Sequence, residues 1–400
     1  MTKNNNLKLA LILGFLSAFA PLSIDMYLSS MPTLERYFAV SADTIQLTLA
    51  SFFIGFSFGQ AFYGPISDKY GRKPPLYIGL LIFVVASVGC ALSTTVEWLI
   101  FFRFLEALGA CAGGVISRAV VRDLYHPSEA SKIYSYLMLV SSVAPMLSPI
   151  AGGYILISLG WKAIFLILAA LGVISLFSIV FWLEESHAKN RTESIAIKNV
   201  ANEYAKLLKH KYFMGYALSG GFAMAGMFAY ITSSPFVFID TFHLSVENYG
   251  ILFGANAVVF VLSAQINARI VNKIDSSVIF GTAMAMLALS GIAMFVAALF
   301  EIGGIYAIVL PLLCFMSSIG FIVPNATALA MAPFAANAGS ASALLGTMQF
   351  SMAAGSSILL GALQKAALIS MGSVIMFCGI AALAVYIFVV KTQAAIEINT

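Results

Sequence analysis

Four hundred residues, 61% hydrophobic and only 10% charged, are too apolar for a water-soluble globule, in which about a quarter of residues carry charge. The net charge of +4 is too small to suggest a nucleic-acid surface. A chain of this composition needs a bilayer as its solvent.

A helix that crosses a bilayer needs about 20 mostly apolar residues. By that ruler the sequence predicts twelve spans: 7–31, 43–66, 75–95, 97–120, 132–156, 161–183, 212–236, 246–268, 277–300, 303–325, 338–362 and 367–390. The first is read as retained, because its apolar run exceeds the roughly 7–15 residues at the centre of a cleavable signal. Most connections are short. The exception is 184–211, rich in Glu, Lys and Arg, which predicts a solvated linker with a surface helix over Lys198–Lys211. The expected architecture is an all-α membrane protein with two pseudo-symmetric six-helix halves, 1–183 and 212–400, on either side of that linker. A faint echo of the loop after the second span follows the eighth, at Gln265–Lys273, with Ala268 and Val271 where an acid and a glycine would be wanted.

Charge placement orients the chain. With the N-terminus inside, the cytoplasmic segments hold seventeen Lys and Arg residues, while the opposite side holds Arg36, Lys162 and Lys365. Both termini and the linker are therefore expected in the cytoplasm. Cys90, Cys111, Cys314 and Cys378 fall in apolar stretches without metal-ligand or disulfide-framework spacing, and read as small core hydrophobes. His126, His187, His210 and His243 lie outside the spans, and neither His-Glu-x-x-His nor Gly-x-Ser-x-Gly occurs. No enzyme activity, metal or cofactor is expected.

Several residues stand out against this background. Asp25 lies in the first span, and a carboxylate at a span's centre costs about 2.5–3.5 kcal/mol, so it should face a cavity or a partner. Pro21, Asp25, Ser29 and Pro32 form one stripe along that helix. Asp25 is either a proton carrier or a structural carboxylate near the outer end. In the fourth span Arg103, Ala107, Ala110, Gly114 and Ser117 share a face, and Glu106 is placed to pair with Arg103. Glu106 is either a second proton site or the counter-ion of that arginine. Arg118 and Arg122 follow, as gate residues or as anchors at the membrane surface. Pro145 and Pro149 predict a kinked fifth span, and Gly152 and Gly153 a tight packing contact. Gly71 suits a turn, Gly64 a close helix contact, and Asp68 the positive end of a helix. The second half offers neutral amides (Asn256, Gln265, Asn267, Asn325, Gln349), either as cavity walls or as interhelical hydrogen bonds.

Gly64, Asp68, Gly71, Arg72 and Lys73 complete the pattern Gly-x-x-x-Asp-x-x-Gly-Arg-Arg/Lys, and in this the chain resembles the major facilitator superfamily of transporters. Leu22–Leu28, Ile116–Tyr125, Ala144–Gly153 and Thr232–Phe238 resemble the bicyclomycin/chloramphenicol (Bcr/CflA) subgroup of drug:proton antiporters. The resemblance implies a bacterial inner-membrane protein that exports small amphipathic compounds in exchange for protons, as a monomer and without cofactor or nucleic acid. It implies Asp25 as principal proton carrier with Arg103 as its modulator, and Asp68 locking an inner gate with Arg72 and Lys73. It also implies Pro145, Pro149, Gly152 and Gly153 as a bendable, leak-tight seam between the halves. Tyr27, Asn256 and Gln349 are the substrate-cavity candidates. Glu106 departs from the subgroup, which usually carries glutamine there. The rival readings are a proton-coupled importer of a small metabolite, or an exporter of one specific metabolite or siderophore.

Overall fold

The computed structural model describes residues 3–125, 127–186, 197–363 and 366–392, and every regular element among them is helical. The chain divides into two units, Met1–Ile197 and Lys198–Thr400. The first unit contains α1 (Lys3–Leu28), α2 (Met31–Phe38), α3 (Ala42–Tyr70), α4 (Lys73–Leu92), α5 (Val96–Leu124), α6 (Pro127–Leu159) and α7 (Trp161–Trp182). Helix α8 (Ile197–Lys209) leads into α9 (Lys211–Pro235), α10 (Val246–Ile270), α11 (Ser276–Leu299), α12 (Gly304–Met331), α13 (Ala338–Leu363) and α14 (Ala367–Val385). Twelve helices among the described residues are long and apolar enough to cross a membrane. His126, His187 and Lys365, and with them part of the 184–211 linker, lie outside the described residues.

The span positions follow the hydropathy, and the departures have local causes. The first span ends at Leu28 rather than 31, because Ser30 turns its hydroxyl back onto the Tyr27 carbonyl at 2.6 Å and Pro32 opens a new short helix, α2. The stripe expected from Pro21 to Pro32 is therefore broken at Ser29–Ser30, and Asp25 sits in the last turn of α1 instead of mid-span. The second span runs past Pro65 to Tyr70, so the connection to α4 is only Gly71 and Arg72. Gly71 has φ +88°, a left-handed backbone that closes the turn without a Cβ. Residues Phe236–Thr241 and Tyr386–Lys391 continue α9 and α14 as single π-helical turns.

In the first unit α5 is the central helix, packed by α3, α4 and α1, with α1 also lying along α6 and α7. Its small residues Ala107–Gly114, nearly all buried, let these neighbours approach closely, which is how helices associate where lipid is as apolar as leucine. Gly152 of α6 allows the same at α1: a Cβ there would meet the Met26 carbonyl oxygen. This contact ties α6 to α1 within the first unit. Gly64 needs a correction, since a Cβ there would meet open space and no close helix contact depends on it. Cys90, Cys111 and Cys378 are buried, whereas Cys314 is exposed and not a core residue.

In the second unit α9 is flanked by α12, α13 and α14, and α11 by α12 and α14. Neutral hydrogen bonds tie them: Thr232 with Ser357 at 2.9 Å, Ser234 with Tyr249 at 2.9 Å, and Asn325 donating to Asn267 at 2.7 Å. Such bonds average about 0.6 kcal/mol in membranes.

Gly152→Val is expected to lower the thermal-unfolding midpoint of the detergent-purified protein, since overpacking typically costs about 1–3 kcal/mol. Gly64→Ala should leave it unchanged or raise it. An unaltered midpoint in Gly152→Val would show that the α1–α6 approach is not tight.

Candidate functional site

Among the described residues four charged side chains are buried: Asp25, Arg72, Arg103 and Glu106. Three lie within spans, Asp25 on α1 and Arg103 and Glu106 on α5. Arg103, with no exposed surface, donates from Nη1 to the Glu106 carboxylate at 2.7 Å and to the Ser23 carbonyl of α1 at 3.0 Å. Its guanidinium lies over the rings of Tyr27 and Phe52, 4.6 and 4.4 Å from their centroids, a desolvated cation–π arrangement worth about 2 kcal/mol. Nε and Nη2 of Arg103 make no hydrogen bond among the described residues. Glu106, equally buried, also accepts from Ser87 at 3.1 Å and from the Cys90 thiol at 3.9 Å, both on α4.

Asp25 is 4% exposed and makes no side-chain hydrogen bond or ion pair among the described residues. It precedes Met26, which Gly152 packs against, and follows by two residues Ser23, whose carbonyl Arg103 holds. Tyr27 is no cavity wall: it is fully buried, with its hydroxyl 2.7 Å from Thr48 and its ring under Arg103. Pro149 takes part through its carbonyl, which accepts from Ser29 at 3.2 Å, and Ser148 bonds back to Ala144 next to Pro145. Gly153 is buried beside Gly152.

Between α1 and α6 the first unit carries a groove of about 410 Å³, lined by Phe15, Ala18, Leu22 and Met26 from one helix and by Val140, Val143, Ala144, Leu147 and Ala151 among others from the second. Its walls are almost wholly apolar, and its size falls in the range of small-molecule pockets. Hydropathy cannot distinguish such a groove from a lipid-facing stripe, so it leaves no signal in the residue pattern.

Around the Gly71–Arg72 turn a second charged network forms. Arg72, 1% exposed, bonds Asp123 at 2.7 and 3.2 Å, Asp68 at 2.5 Å and the Ser67 hydroxyl at 2.8 Å. Burial works against its charge, but the hydrogen bonds to Asp123 and Asp68 outweigh that and hold the guanidinium above its ordinary value. Asp68 sits in the last turn of α3, not at a helix N-terminus as expected, and Arg72 takes its charge. Glu185, beyond α7, occupies the N-terminal position instead: its oxygens accept from the backbone N–H of Arg72 at 2.7 Å and Lys73 at 3.0 Å, where α4 begins. A Cβ on Gly71 would crowd that carboxylate. The Lys73 side chain lies over Tyr77 rather than on Asp68. Arg122 reaches Asp68 only at 3.8 Å with both side chains more than half exposed, and Arg118 bonds the Gly114 carbonyl of its own helix. Asp123 and Glu185 were missed because their partners lie 51 and 113 residues away, beyond any local pattern.

In the second unit Asn256 is buried, donating to the Leu252 carbonyl at 2.9 Å while its Oδ1 makes no hydrogen bond among the described residues. It is therefore a packed residue more than a cavity wall. Gln349 is partly exposed, and Asn267 and Asn325 are spent on each other.

The Major Facilitator Superfamily pattern matches residues 13–357. The chain belongs to the Major Facilitator Superfamily. It is 36% identical, over 87% of both chains, to an uncharacterised transporter of this superfamily from Bacillus subtilis, YdgK. It is 31% identical to a bicyclomycin resistance protein homolog from Haemophilus influenzae (86% of both chains) and 30% identical to a chloramphenicol resistance protein from Pseudomonas aeruginosa (81% of this chain, 75% of the relative). These relatives set it in the bicyclomycin/chloramphenicol type of the superfamily. The fold matches a crystal structure of a D-xylose–proton symporter with TM-score 0.76 at 16% identity, covering 96% of this chain and 98% of that one. As a major facilitator protein the chain is a multi-pass membrane transporter.

Arg72→Ala is expected to destabilise the purified protein by about 3–5 kcal/mol, because it strands Asp123 beside a broken pair. Arg122→Ala, at an exposed pair, should cost no more than about 1 kcal/mol. Denaturant unfolding in mixed micelles reads both, and equal costs would show that the Arg72 network is not the anchor of this turn.

Proposed function

We propose that the protein exports small amphipathic compounds from a bacterial cytoplasm in exchange for protons, by alternating access, with Asp25 as the group that loads and releases the proton. The observation that carries this reading is the isolation of Asp25: of the buried charged side chains among the described residues, it is the one without an ion-pair partner. A carboxylate placed there is costly in either role, and a protonated, neutral form relieves the cost. Arg103 and Glu106 answer each other and so fit a fixed structural pair.

The apolar groove between α1 and α6 suits the hydrocarbon part of a cargo, and Asp25, one residue before the groove-lining Met26, supplies a group whose charge changes with proton loading. Binding that differs between the loaded and unloaded forms is what coupling requires. Relatives named for bicyclomycin and chloramphenicol resistance support the direction and the class of cargo. The excess of Lys and Arg in one set of loops supports cytoplasmic termini. The network at Gly71–Arg72 supports a gate on that same side, in which Asp68, Asp123 and Glu185 hold Arg72 and the start of α4.

The test uses inside-out vesicles with an imposed pH gradient, a panel including chloramphenicol, and a pH-sensitive dye. Addition of a transported compound is expected to release protons in wild type, and Asp25→Asn should abolish that release with the protein still folded. Full release in Asp25→Asn would remove Asp25 as carrier. Uptake of compound into intact cells with acid outside would make the protein an importer.

A further inference from the structure

We propose that the face where α8 runs into α9 binds an anionic phospholipid, with Lys206, Lys209 and Lys211 holding its phosphate and Leu208 lying against its chains. Helix α8 ends at Lys209, and α9, long and apolar enough to cross a membrane, begins at Lys211. His210 is the whole connection, and it is fixed at both sides. Its N–H donates to the Leu207 carbonyl at 3.0 Å, and its Nδ1 accepts from the Phe213 N–H at 3.4 Å. The last turn of α8 is thereby held at the depth of a membrane surface.

Leu207 is 2% exposed and seats this turn on the protein, whereas Leu208, about 100° further round the helix, is 48% exposed. Lys206, Lys209 and Lys211, which flank it in the chain, are exposed too. Apolar surface set among lysines at this depth is the pattern of an interfacial helix, whose lysine stems pass the hydrocarbon and carry their charges to the headgroups. A fourth cation comes to the same end of the unit. Gly215, one turn into α9, packs on Val389 and Val390, and Lys391 follows them, 5.7 Å over the Tyr386 ring. Tyr216 and Tyr386 both pack on Phe280, at 5.3 and 5.5 Å between centroids, which ties these helix ends together. The acids nearby are engaged: Glu203 pairs with Lys206 at 3.2 Å, and Asp275 accepts from the Ser277 N–H and hydroxyl at 2.7 and 2.6 Å. Lys209 and Lys211 form no ion pair among the described residues. A soluble anion would use the lysines alone, while an anionic lipid uses the lysines and the exposed leucine together.

The test is native mass spectrometry of the purified full-length protein, titrated with dioleoyl phosphatidylglycerol and with dioleoyl phosphatidylcholine. It needs neither a transported compound nor an orientation of the chain. Wild type is expected to bind the first phosphatidylglycerol roughly tenfold or more tighter than phosphatidylcholine. Lys209→Gln should lower the phosphatidylglycerol affinity about fivefold, the factor one lysine contributes near an anionic surface. Combining it with Lys206→Gln and Lys211→Gln should bring that affinity to the phosphatidylcholine level, and Leu208→Asn should weaken both lipids. These side chains are exposed, so the variants are expected to keep the wild-type unfolding midpoint. Lys162→Gln, at the start of α7 in the first unit, should leave the preference intact. Equal affinities in wild type, a preference that survives the triple substitution, or an equal loss in Lys162→Gln would overturn the proposal and leave this face to a soluble partner or a second copy. Displacement of the lipid by an equal concentration of glycerophosphoglycerol, the headgroup without chains, would overturn it too, marking a site for free phosphate esters.

Discussion

A charge inside a membrane must be answered by the protein itself, and the pair Arg103–Glu106 is where this chain meets that constraint most directly. Both side chains lack solvent exposure and lie 2.7 Å apart on one helix. Neither would be tolerated alone, since removing one partner of a buried pair typically costs about 3–5 kcal/mol. Around them the first unit is arranged to finish the answer: α1 supplies the Ser23 carbonyl and the Tyr27 ring, α3 the Phe52 ring, and α4 the Ser87 and Cys90 donors. The small residues that follow on α5 bring those helices near enough to do so.

The same logic governs the turn between α3 and α4, with water nearby instead of lipid. There Arg72 is nearly as buried as Arg103, but it is shared by two carboxylates, while a third, Glu185, caps the start of α4. A helix end, a turn glycine and an arginine are thereby held by acids from three separate places in the chain. In the second unit no charged side chain is buried among the described residues, and hydroxyl and amide pairs take over the work. Among the described residues buried ion pairs thus occur only in the first unit, while the buried polar contacts of the second are neutral.

Against this arrangement Asp25 is the exception, a buried acid left unanswered by any partner among the described residues. It sits in the last turn of α1, one residue before Met26, which lines the apolar groove, and two residues after the carbonyl that Arg103 holds.

The sequence by itself determined the twelve spans and the identity of the chemistry-bearing residues. Hydropathy is a local property of about twenty residues, and a charge within such a run is visible without knowing its neighbours. It also showed the Arg103–Glu106 pairing, because three residues on a helix put two side chains on one face. What it could not decide was which partner each charge takes when the choice is distant. Asp123 and Glu185 meet Arg72 across 51 and 113 residues, Tyr27 turned from cavity candidate to packed ring under Arg103, and Gly152 packs on α1. Only the tertiary structure decided these, because burial and pairing are set by which helices touch, and in a chain whose helices are apolar on every side the pattern of residues does not say which face meets which neighbour.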